Sequence, residues 1–239
     1  MALSVIVPVL DEAAAIEVLT ATTLETLEAM ACLFEILFVD DGSTDQTPML
    51  IAEIQRRDQR VRLIRMARHS GKSAALAAGV RHSRGRTLVT MDGDLQDDPA
   101  EIPKLVARHA QGVDLVCGWR RQRSDNLGRR LSSRAFNWAV GRLSNLDLHD
   151  MNCGLKAGRR EVFEAVPLQS GSHRYVPLLA IRQGFCVAEV AVNHRPRLHG
   201  RSHYGWSRAI TAPIDLLALL MVERHERSVA TVSLREGLE

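Results

Sequence analysis

The sequence predicts a single-domain α/β fold with a mostly parallel central sheet and helices on both faces. Short strand-like runs alternate with helical patterns through the first half of the chain. The strand-like runs are nearly continuous in apolar residues, as expected of parallel strands buried on both faces. Alternation of this kind builds a parallel sheet covered by helices. The chain has 239 residues, 46% of them hydrophobic, which is enough for a sizeable core.

The elements of the first half follow in order from these runs. Strands are predicted at 3–9, 34–42, 61–66, 86–92 and 113–120. Helices are predicted from after the first strand to about Met30, and at 43–57, 71–83 and 98–112. Ser43 or Thr44 is the expected N-cap of the second helix. Pro99 stands near the first position of the fourth helix, where proline is well tolerated.

The second half is less regular. An amphipathic helix is predicted at 126–145, a further helix at 172–184, and a strand that runs into a basic loop at 185–197. No repeat or linker separates these elements from the first half, so we expect them to pack against the same sheet. The four cysteines are far apart and form no CxxC pair, which predicts reduced thiols in a cytoplasmic protein.

The last apolar run, AITAPIDLLALLMV at 209–222, is too short to span a membrane and carries Asp215. It is predicted to be an amphipathic helix that packs on the protein or lies on a membrane surface, with packing favoured. The chain opens directly in a strand, without the pattern of a signal peptide. The net charge of +3 is compatible with anionic ligands or a membrane surface and proves neither.

Carboxylates cluster in the stretch VTMDGDLQDDPAE, at 89–101. Asp92 and Asp94 follow the fourth strand, and Gln96 adds an amide oxygen. Hard cations such as Mg²⁺ and Mn²⁺ prefer oxygen ligands, so these three residues are candidate metal ligands. The alternative is that the acids offset a helix dipole, which accounts for the other three: Asp97, Asp98 and Glu101.

Acids also follow the first two strands. Asp11 and Glu12 come after the first, and Asp40 and Asp41 after the second. Ligands of parallel sheets bind beyond the carboxyl ends of the strands, so these acids are expected at the same edge as Asp92. Asp40 or Asp41 could accept hydrogen bonds from a base or a ribose, or could form a turn with the following glycine. Asp45 is predicted to be a capping or turn residue.

Several other kinds of site lack support. HSGKSAAL resembles a phosphate loop, but Met66 occupies the position where that motif needs glycine. The three histidines of the basic run at 194–208 have no companion ligands at zinc spacing. No Gly-x-Ser-x-Gly or HExxH motif occurs. Aromatic residues make up 4% of the chain, which argues against nucleic-acid binding by base stacking.

Six segments stand in the order and at the spacing of a known family: VIVPVLDE, ILFVDDGSTD, GKSAALAAG, MDGDLQDDP, DMNCGLK and GRSHYGWSR. From about Leu3 to Arg208 the chain resembles family 2 glycosyltransferases of the GT-A fold. The likeness is greatest to dolichol-phosphate mannosyltransferases and bacterial polyprenyl-phosphate glycosyltransferases. DGDLQDDP is the most specific segment.

The resemblance implies a role for each matching residue. Nucleotide-sugar binding is expected of Pro8, Glu12, Asp40, Asp41, Lys72, Asp92, Arg120 and Arg201. Within this set, Asp92 marks the nucleotide–sugar junction, and the arginines meet phosphates. Asp94 and Gln96, with Asp92, are expected to hold Mg²⁺ or Mn²⁺. Asp92, Asp94 and Asp150 are the expected catalytic residues, with Asp150 near the transferred sugar or the acceptor.

The implied reaction is metal-dependent, inverting transfer from a nucleotide-diphosphate sugar to a polyprenyl phosphate at the inner face of the cytoplasmic membrane. One alternative is transfer of the sugar to a soluble acceptor. The other is nucleotide-sugar binding without catalysis. The expected organisation is a catalytic domain at 1–208 and an amphipathic helix and tail at 209–239 that contact a membrane surface or a partner. The chain departs from the family at Asp11, at 153–156 and at His203, which leaves the sugar and the acceptor open. The sequence does not decide whether the chain forms a homo-oligomer.

Overall fold

The computed structural model describes residues 2–121, 148–169 and 171–195. Its strands are β1 (Leu3–Val9), β2 (Phe34–Asp40), β3 (Val61–Arg65), β4 (Thr87–Thr90), β5 (Leu115–Arg120), β6 (Lys156–Arg159) and β7 (Val187–Val192). They form one seven-stranded sheet in the order β3-β2-β1-β4-β6-β5-β7. All neighbouring strands pair in parallel except β6, which runs antiparallel to both β4 and β5. The predicted mostly parallel sheet is therefore confirmed.

The helices in the described ranges are α1 (Ala13–Ala29), α2 (Thr47–Arg57), α3 (Lys72–His82), α4 (Ile102–Ala110), α5 (Arg160–Ala165) and α6 (Val176–Arg182). Short 3₁₀ turns at Pro99–Glu101 and Ser172–Arg174 precede α4 and α6. The predicted helices of the first half and the helix at 172–184 are confirmed. The helices predicted at 126–145 and 209–222, and the domain boundary after 208, lie outside the described residues.

The core lies on both faces of the sheet, as predicted. Along β1, Val5 and Val7 pack into a cluster with α1, α2 and α4, whereas Ile6 packs into a second cluster with α3, α5 and α6. Successive side chains of a strand point to opposite faces, so burial of all three requires a helical layer on each side. Within the described ranges, no helix has both the length and the apolarity needed to cross a bilayer.

The predicted N-cap of α2 is wrong. The helix begins at Thr47, and its N-cap position is occupied by Gln46. Ser43 and Thr44 instead join the ends of β1 and β2. The Ser43 hydroxyl accepts a hydrogen bond from the Asp11 amide at 2.9 Å, and the Thr44 amide donates to the Asp11 carboxylate at 2.7 Å. These contacts join distant parts of the chain, so a local capping rule could not anticipate them.

The short strand β6 was not predicted. Its four residues, KAGR, show neither alternation nor a continuous apolar run. The strand exists because β4 and β5 pair with its two edges in the middle of the sheet. Pairing with strands this distant in sequence leaves no local signal.

Glu35 anchors the opposite edge of the sheet from the acids. Its carboxylate is buried and accepts hydrogen bonds from the Ser4 hydroxyl, the Arg84 amide and the Arg62 guanidinium, each at 2.6 Å. Replacing it with alanine removes a charged acceptor and leaves buried donors unsatisfied. We expect Glu35→Ala to lower the free energy of unfolding by about 2–3 kcal/mol, as measured by urea denaturation.

Glu53 provides the matched control for this prediction. It forms an ion pair with Arg57 one turn away on α2, in which the Arg57 side chain is 73% exposed and the Glu53 side chain 42%. Glu53→Ala should change the unfolding free energy by less than about 0.5 kcal/mol. Equal effects of the two substitutions would contradict an anchoring role for Glu35.

Candidate functional site

The acids that follow three strands meet at one edge of the sheet. β1 lies between β2 and β4 and is parallel to both, so the carboxyl ends of all three strands are neighbours. Asp11 and Glu12, Asp40 and Asp41, and Asp92 and Asp94 all follow these ends. This confirms the predicted common edge, which is also where ligands of parallel α/β sheets bind.

Asp92 is held in its ionised form by a lysine. The Lys72 ammonium at the start of α3 donates to Asp92 Oδ1 at 2.5 Å. Burial by itself would raise the pKa of Asp92, but the positive charge and hydrogen bond of Lys72 outweigh it and keep that pKa below its ordinary value. About a third of the Asp92 side chain remains exposed, so it can still meet a ligand.

Asp94 and Gln96 complete an oxygen-rich turn directly after Asp92. The backbone amide of Gln96 donates to Asp94 Oδ1 at 3.1 Å, and Leu95 between the two residues has a positive φ of 64°. No group of three or more His, Cys, Asp or Glu residues in the described part of the chain could hold a metal. Two carboxylates and one amide oxygen nevertheless fit Mg²⁺ or Mn²⁺, because Mg²⁺ usually completes its shell with water and substrate phosphates.

Asp97 is not the surface helix-start acid that the sequence predicted. Its side chain is buried, and its Oδ2 accepts a hydrogen bond from the Asp92 amide at 3.0 Å. Burial, and then the negative charge of Asp92, raise the pKa of Asp97 to about 7. Asp97 therefore belongs to the site and shapes the turn that carries Asp92.

The other two acids of this cluster behave as predicted for a helix start. Asp98 precedes the 3₁₀ turn and accepts a hydrogen bond from the Ala100 amide at 3.1 Å. It also pairs with Arg195 at 2.8 Å. Glu101 lies 3.5 Å from Lys104 on the first turn of α4. None of these three contacts involves Asp92 or Asp94.

Gly154 forms part of the wall against these carboxylates. A Cβ atom placed on Gly154 would lie 2.3 Å from Asp92 Oδ1 and 2.7 Å from Asp97 Oδ2. The carbonyl of Gly154 accepts a hydrogen bond from the Thr90 hydroxyl at 2.8 Å, which fixes this part of the backbone against β4. Only glycine leaves enough space for both acids at this position.

Asp40 and Asp41 differ in their hydrogen bonding. Asp40 is fully buried; its Oδ1 accepts from the Ser43 amide at 2.9 Å, while its Oδ2 has no hydrogen-bond partner and lies 3.5 Å from Arg65 Nε. The unsatisfied oxygen suits a ligand N–H or O–H group. The carboxylate of Asp41, in contrast, is engaged by the segment 69–71.

Pro8 and Glu12 lie at the end of β1. Gly93 packs beside Pro8, since a Cβ on that glycine would lie 3.2 Å from the Pro8 carbonyl oxygen. The Glu12 amide donates to the Thr47 hydroxyl at 2.9 Å. Asp45 accepts from the Thr47 amide at 2.9 Å, which confirms its predicted role in the turn. The first and second strand ends are thus joined into one wall of the site.

Arg120 and Asp150, which were given separate predicted roles, form a pair in the structure. Arg120 Nε donates to Asp150 Oδ2 at 2.6 Å, and Nη2 donates to Oδ1 at 2.9 Å. Asp150 is buried, and its amide donates to Glu189 at 2.8 Å. Asp150 therefore fixes the orientation of the guanidinium at the end of β5. The predicted contacts of both residues with substrate stay predictions.

Arg201, His199 and His203 lie outside the described residues. The segment that leads to them begins beside the oxygen-rich turn, because the Arg195 amide donates to the Gln96 carbonyl at 2.9 Å. An isolated β-bridge joins His194 to Asp97 at the same place.

Two residues of the site were missed by the sequence analysis. Lys156 is buried with its ammonium bonded to the Cys153 carbonyl, and its charge helps to lower the pKa of Asp92. His173 is the second residue. Both line a cavity whose polar rim also includes Lys72 and Asp92 and whose apolar wall is formed by Leu76, Val80, Phe163, Leu168 and Val176. Lys156 ends the motif DMNCGLK, where the sequence analysis noted it only as part of a departure from the family pattern. His173 belongs to no motif, so nothing in the sequence indicated it.

Known proteins resemble this chain over most of its length. The model of Glycosyl transferase family 2 matches residues 4–167. A dodecaprenyl-phosphate galacturonate synthase from Rhizobium johnstonii is 34% identical over 229 residues, covering 94% of this chain and 68% of that protein. An undecaprenyl-phosphate 4-deoxy-4-formamido-L-arabinose transferase from Pseudomonas aeruginosa is 39% identical over 221 residues, covering 91% of this chain and 64% of that protein. The chain thus spans about two thirds of the length of these relatives.

Solved structures share the fold. Glucosyl-3-phosphoglycerate synthase from Mycobacterium tuberculosis, in complex with Mn²⁺, uridine diphosphate and phosphoglyceric acid, matches with a TM-score of 0.62 and 25% identity over 82% of this chain and 71% of that one. Its complex with phosphoglyceric acid matches with a TM-score of 0.63 and 24% identity, over 82% of this chain and 72% of that one. These neighbours are GT-A glycosyltransferases, which confirms the predicted fold class.

Proposed function

The chain belongs to glycosyl transferase family 2, and on this premise we propose that it moves a sugar from a nucleotide-diphosphate donor to a polyprenyl phosphate. The oxygen-rich turn at Asp92, Asp94 and Gln96, with Lys72 bonded to Asp92, is the observation that carries this proposal. It combines hard-cation ligands with a fixed positive charge at the sheet edge where nucleotides bind. The names of the relatives support the acceptor, because both are polyprenyl-phosphate enzymes.

The donor lies along the carboxyl edge, with its base and ribose held by Pro8, Glu12 and Asp40. The unsatisfied Oδ2 of Asp40 supports this orientation, because a buried acceptor needs a donor. We favour a uridine donor, and the neighbour that holds uridine diphosphate with Mn²⁺ supports this choice.

The diphosphate lies toward Lys72, Arg120 and Arg201, and Asp92 stands at the nucleotide–sugar junction. Asp94 and Gln96, with Asp92, would hold Mg²⁺ or Mn²⁺, and the bound cation would supply positive charge beside the diphosphate leaving group. Lys72 and Arg120 supply further positive charge that is already fixed in place, so little reorganisation accompanies the reaction.

Transfer proceeds with inversion at the anomeric carbon. An oxygen of the acceptor phosphate forms the new bond to this carbon as its bond to the diphosphate oxygen breaks. The acceptor is already anionic near neutral pH, so a strong general base is unnecessary. Asp150 keeps Arg120 oriented, and the pair lies on the side of the transferred sugar or the acceptor. The reaction takes place at the inner face of the cytoplasmic membrane, where 209–239 contacts the surface.

A donor screen tests this proposal. The chain is incubated with UDP- or GDP-sugars, Mn²⁺ or Mg²⁺ and undecaprenyl phosphate, and sugar is counted in the organic phase after extraction. We expect transfer with a uridine donor, and loss of transfer when EDTA removes the metal. Sugar transferred to an aqueous acceptor instead would point to a soluble substrate. Calorimetric binding of nucleotide without turnover would point to a binding module.

A further inference from the structure

The first residues of α3 are held on two sides. Lys72, the first residue of the helix, is bonded to Asp92 at the donor site. The segment before it is fixed to the end of β2, and the residue after it is fixed to the 3₁₀ turn at Ser172–Arg174. Lys72 therefore stands between two anchors that come from opposite sides.

Asp41 provides the anchor on the side of β2. Its buried carboxylate accepts hydrogen bonds from the backbone amides of Ser70 and Gly71, both at 2.8 Å, and lies 2.9 Å from His69 Nδ1. The segment after β2 and the segment before α3 are also in close contact, since a Cβ on Gly42 would lie 2.8 Å from the His69 backbone nitrogen. The carboxylate thus fixes the backbone directly before Lys72.

His173 provides the anchor on the other side. Its backbone amide donates to the Ser73 hydroxyl oxygen at 3.2 Å, and the same oxygen lies 2.8 Å from His173 Nδ1. The hydroxyl can accept from the amide and still donate its own hydrogen to Nδ1 when the ring is neutral and Nδ1 carries no hydrogen. Burial, and then the charges of Lys72 and Arg174, lower the pKa of His173 to about 2, in agreement with this arrangement.

We propose that Asp41 and His173 are positioning residues, which clamp the start of α3 so that Lys72 stays against Asp92 and meets the diphosphate of the donor. This inference rests on the proposed function. The flexible stem of lysine loses substantial rotamer entropy when its ammonium is held in one place. A clamped backbone on both sides of Lys72 restricts where its ammonium can reach. A small displacement of a positioned charge is costly in activity.

The clamp predicts that Asp41 and His173 act through Lys72. Single substitutions Asp41→Asn, Ser73→Ala and His173→Leu are combined in turn with Lys72→Met. We expect each single substitution to raise the KM for donor, and the Kd for UDP with Mn²⁺ measured by calorimetry, roughly tenfold. In the Lys72→Met background the same substitutions should have no further effect.

Conservative and distant variants provide the controls. His173→Asn retains an acceptor near the position of Nδ1 and should keep the KM within about threefold of the wild type. Ser83→Ala removes a buried hydroxyl bond at the other end of α3 and should leave the KM unchanged. If His173→Leu does not fold, Ser73→Ala removes the same link and tests the same anchor.

Additive effects in the Lys72→Met background would overturn the clamp, because Asp41 or His173 would then act on the nucleotide directly or through stability alone. A different outcome would show that the proposed function, and not the clamp, is wrong. If the wild type binds UDP with Mn²⁺ and the cycle is non-additive, but no sugar reaches the lipid, the clamp stands and the acceptor is wrong. If the wild type neither binds UDP nor transfers sugar, both proposals are overturned.

Discussion

Replacing Asp94 with alanine is expected to lower metal-dependent transfer by at least about 10³-fold, because the loss of several kcal/mol of charge stabilisation has this effect on the rate. Loss of the hydrogen bond from the Gln96 backbone amide should cost the folded state about 1 kcal/mol. Initial rates with a uridine donor and a Mn²⁺ series measure the first effect. Urea denaturation measures the second.

Glu101 is the matched control for Asp94. It lies in the same acidic stretch, but its contact is with Lys104 at 3.5 Å on the first turn of α4. Glu101→Gln should cost only about 0.5 kcal/mol of stability and leave the rate unchanged. Full metal-dependent activity in Asp94→Ala would show that the metal is held elsewhere. Equal losses in both variants would show that the acidic stretch acts as a whole.

The second large effect is expected for Gly154→Ala, which should lower the rate of transfer by about 10²-fold. The added Cβ would overlap Asp92 Oδ1 and Asp97 Oδ2, and Thr90 holds the backbone in place. Asp92 is partly exposed and can swing away, whereas Asp97 is buried. The substitution should therefore separate Asp92 from Lys72, and its clash with the buried Asp97 should also lower stability.

Gly112→Ala is the control, because it should lower stability without lowering the rate of transfer. No heavy atom lies within 4 Å of a Cβ at Gly112, but its φ of +93° is unfavourable for alanine. It should cost about 1 kcal/mol of stability and leave transfer unchanged. Transfer rates and urea midpoints of the two variants, measured together, separate a loss of site geometry from a loss of stability. An unchanged rate in Gly154→Ala would refute the fitted packing of Asp92 against this glycine.

Features encoded over short stretches could be predicted from the sequence. The continuous apolar runs of β1, β2 and β4 identified buried strands, and the acids directly after them identified the edge of the sheet where the candidate site lies. Parallel strands bring such acids together whatever the rest of the fold does. The helix-start role of Asp98 and the turn role of Asp45 followed from local rules in the same way.

Features that depend on contacts between distant residues could not be predicted. Asp97 looks like a helix-start acid in sequence, but it is buried because the Asp92 turn folds back over it. The pairing of Arg120 with Asp150 and the link between Ser73 and His173 each join segments far apart in the chain. Local patterns identify residue types that suit a ligand, and only the packing shows which of them the protein already engages.

The mass of the lipid product is the most direct test of the account. Wild-type protein and Asp94→Ala are incubated side by side with a UDP-sugar, Mn²⁺ and undecaprenyl phosphate, and the extracted lipid is analysed by mass spectrometry. We predict that the lipid gains the mass of one glycosyl residue with the wild type and metal, and gains nothing with Asp94→Ala or with EDTA. An unchanged lipid with the wild type, or equal product from Asp94→Ala, would contradict the account.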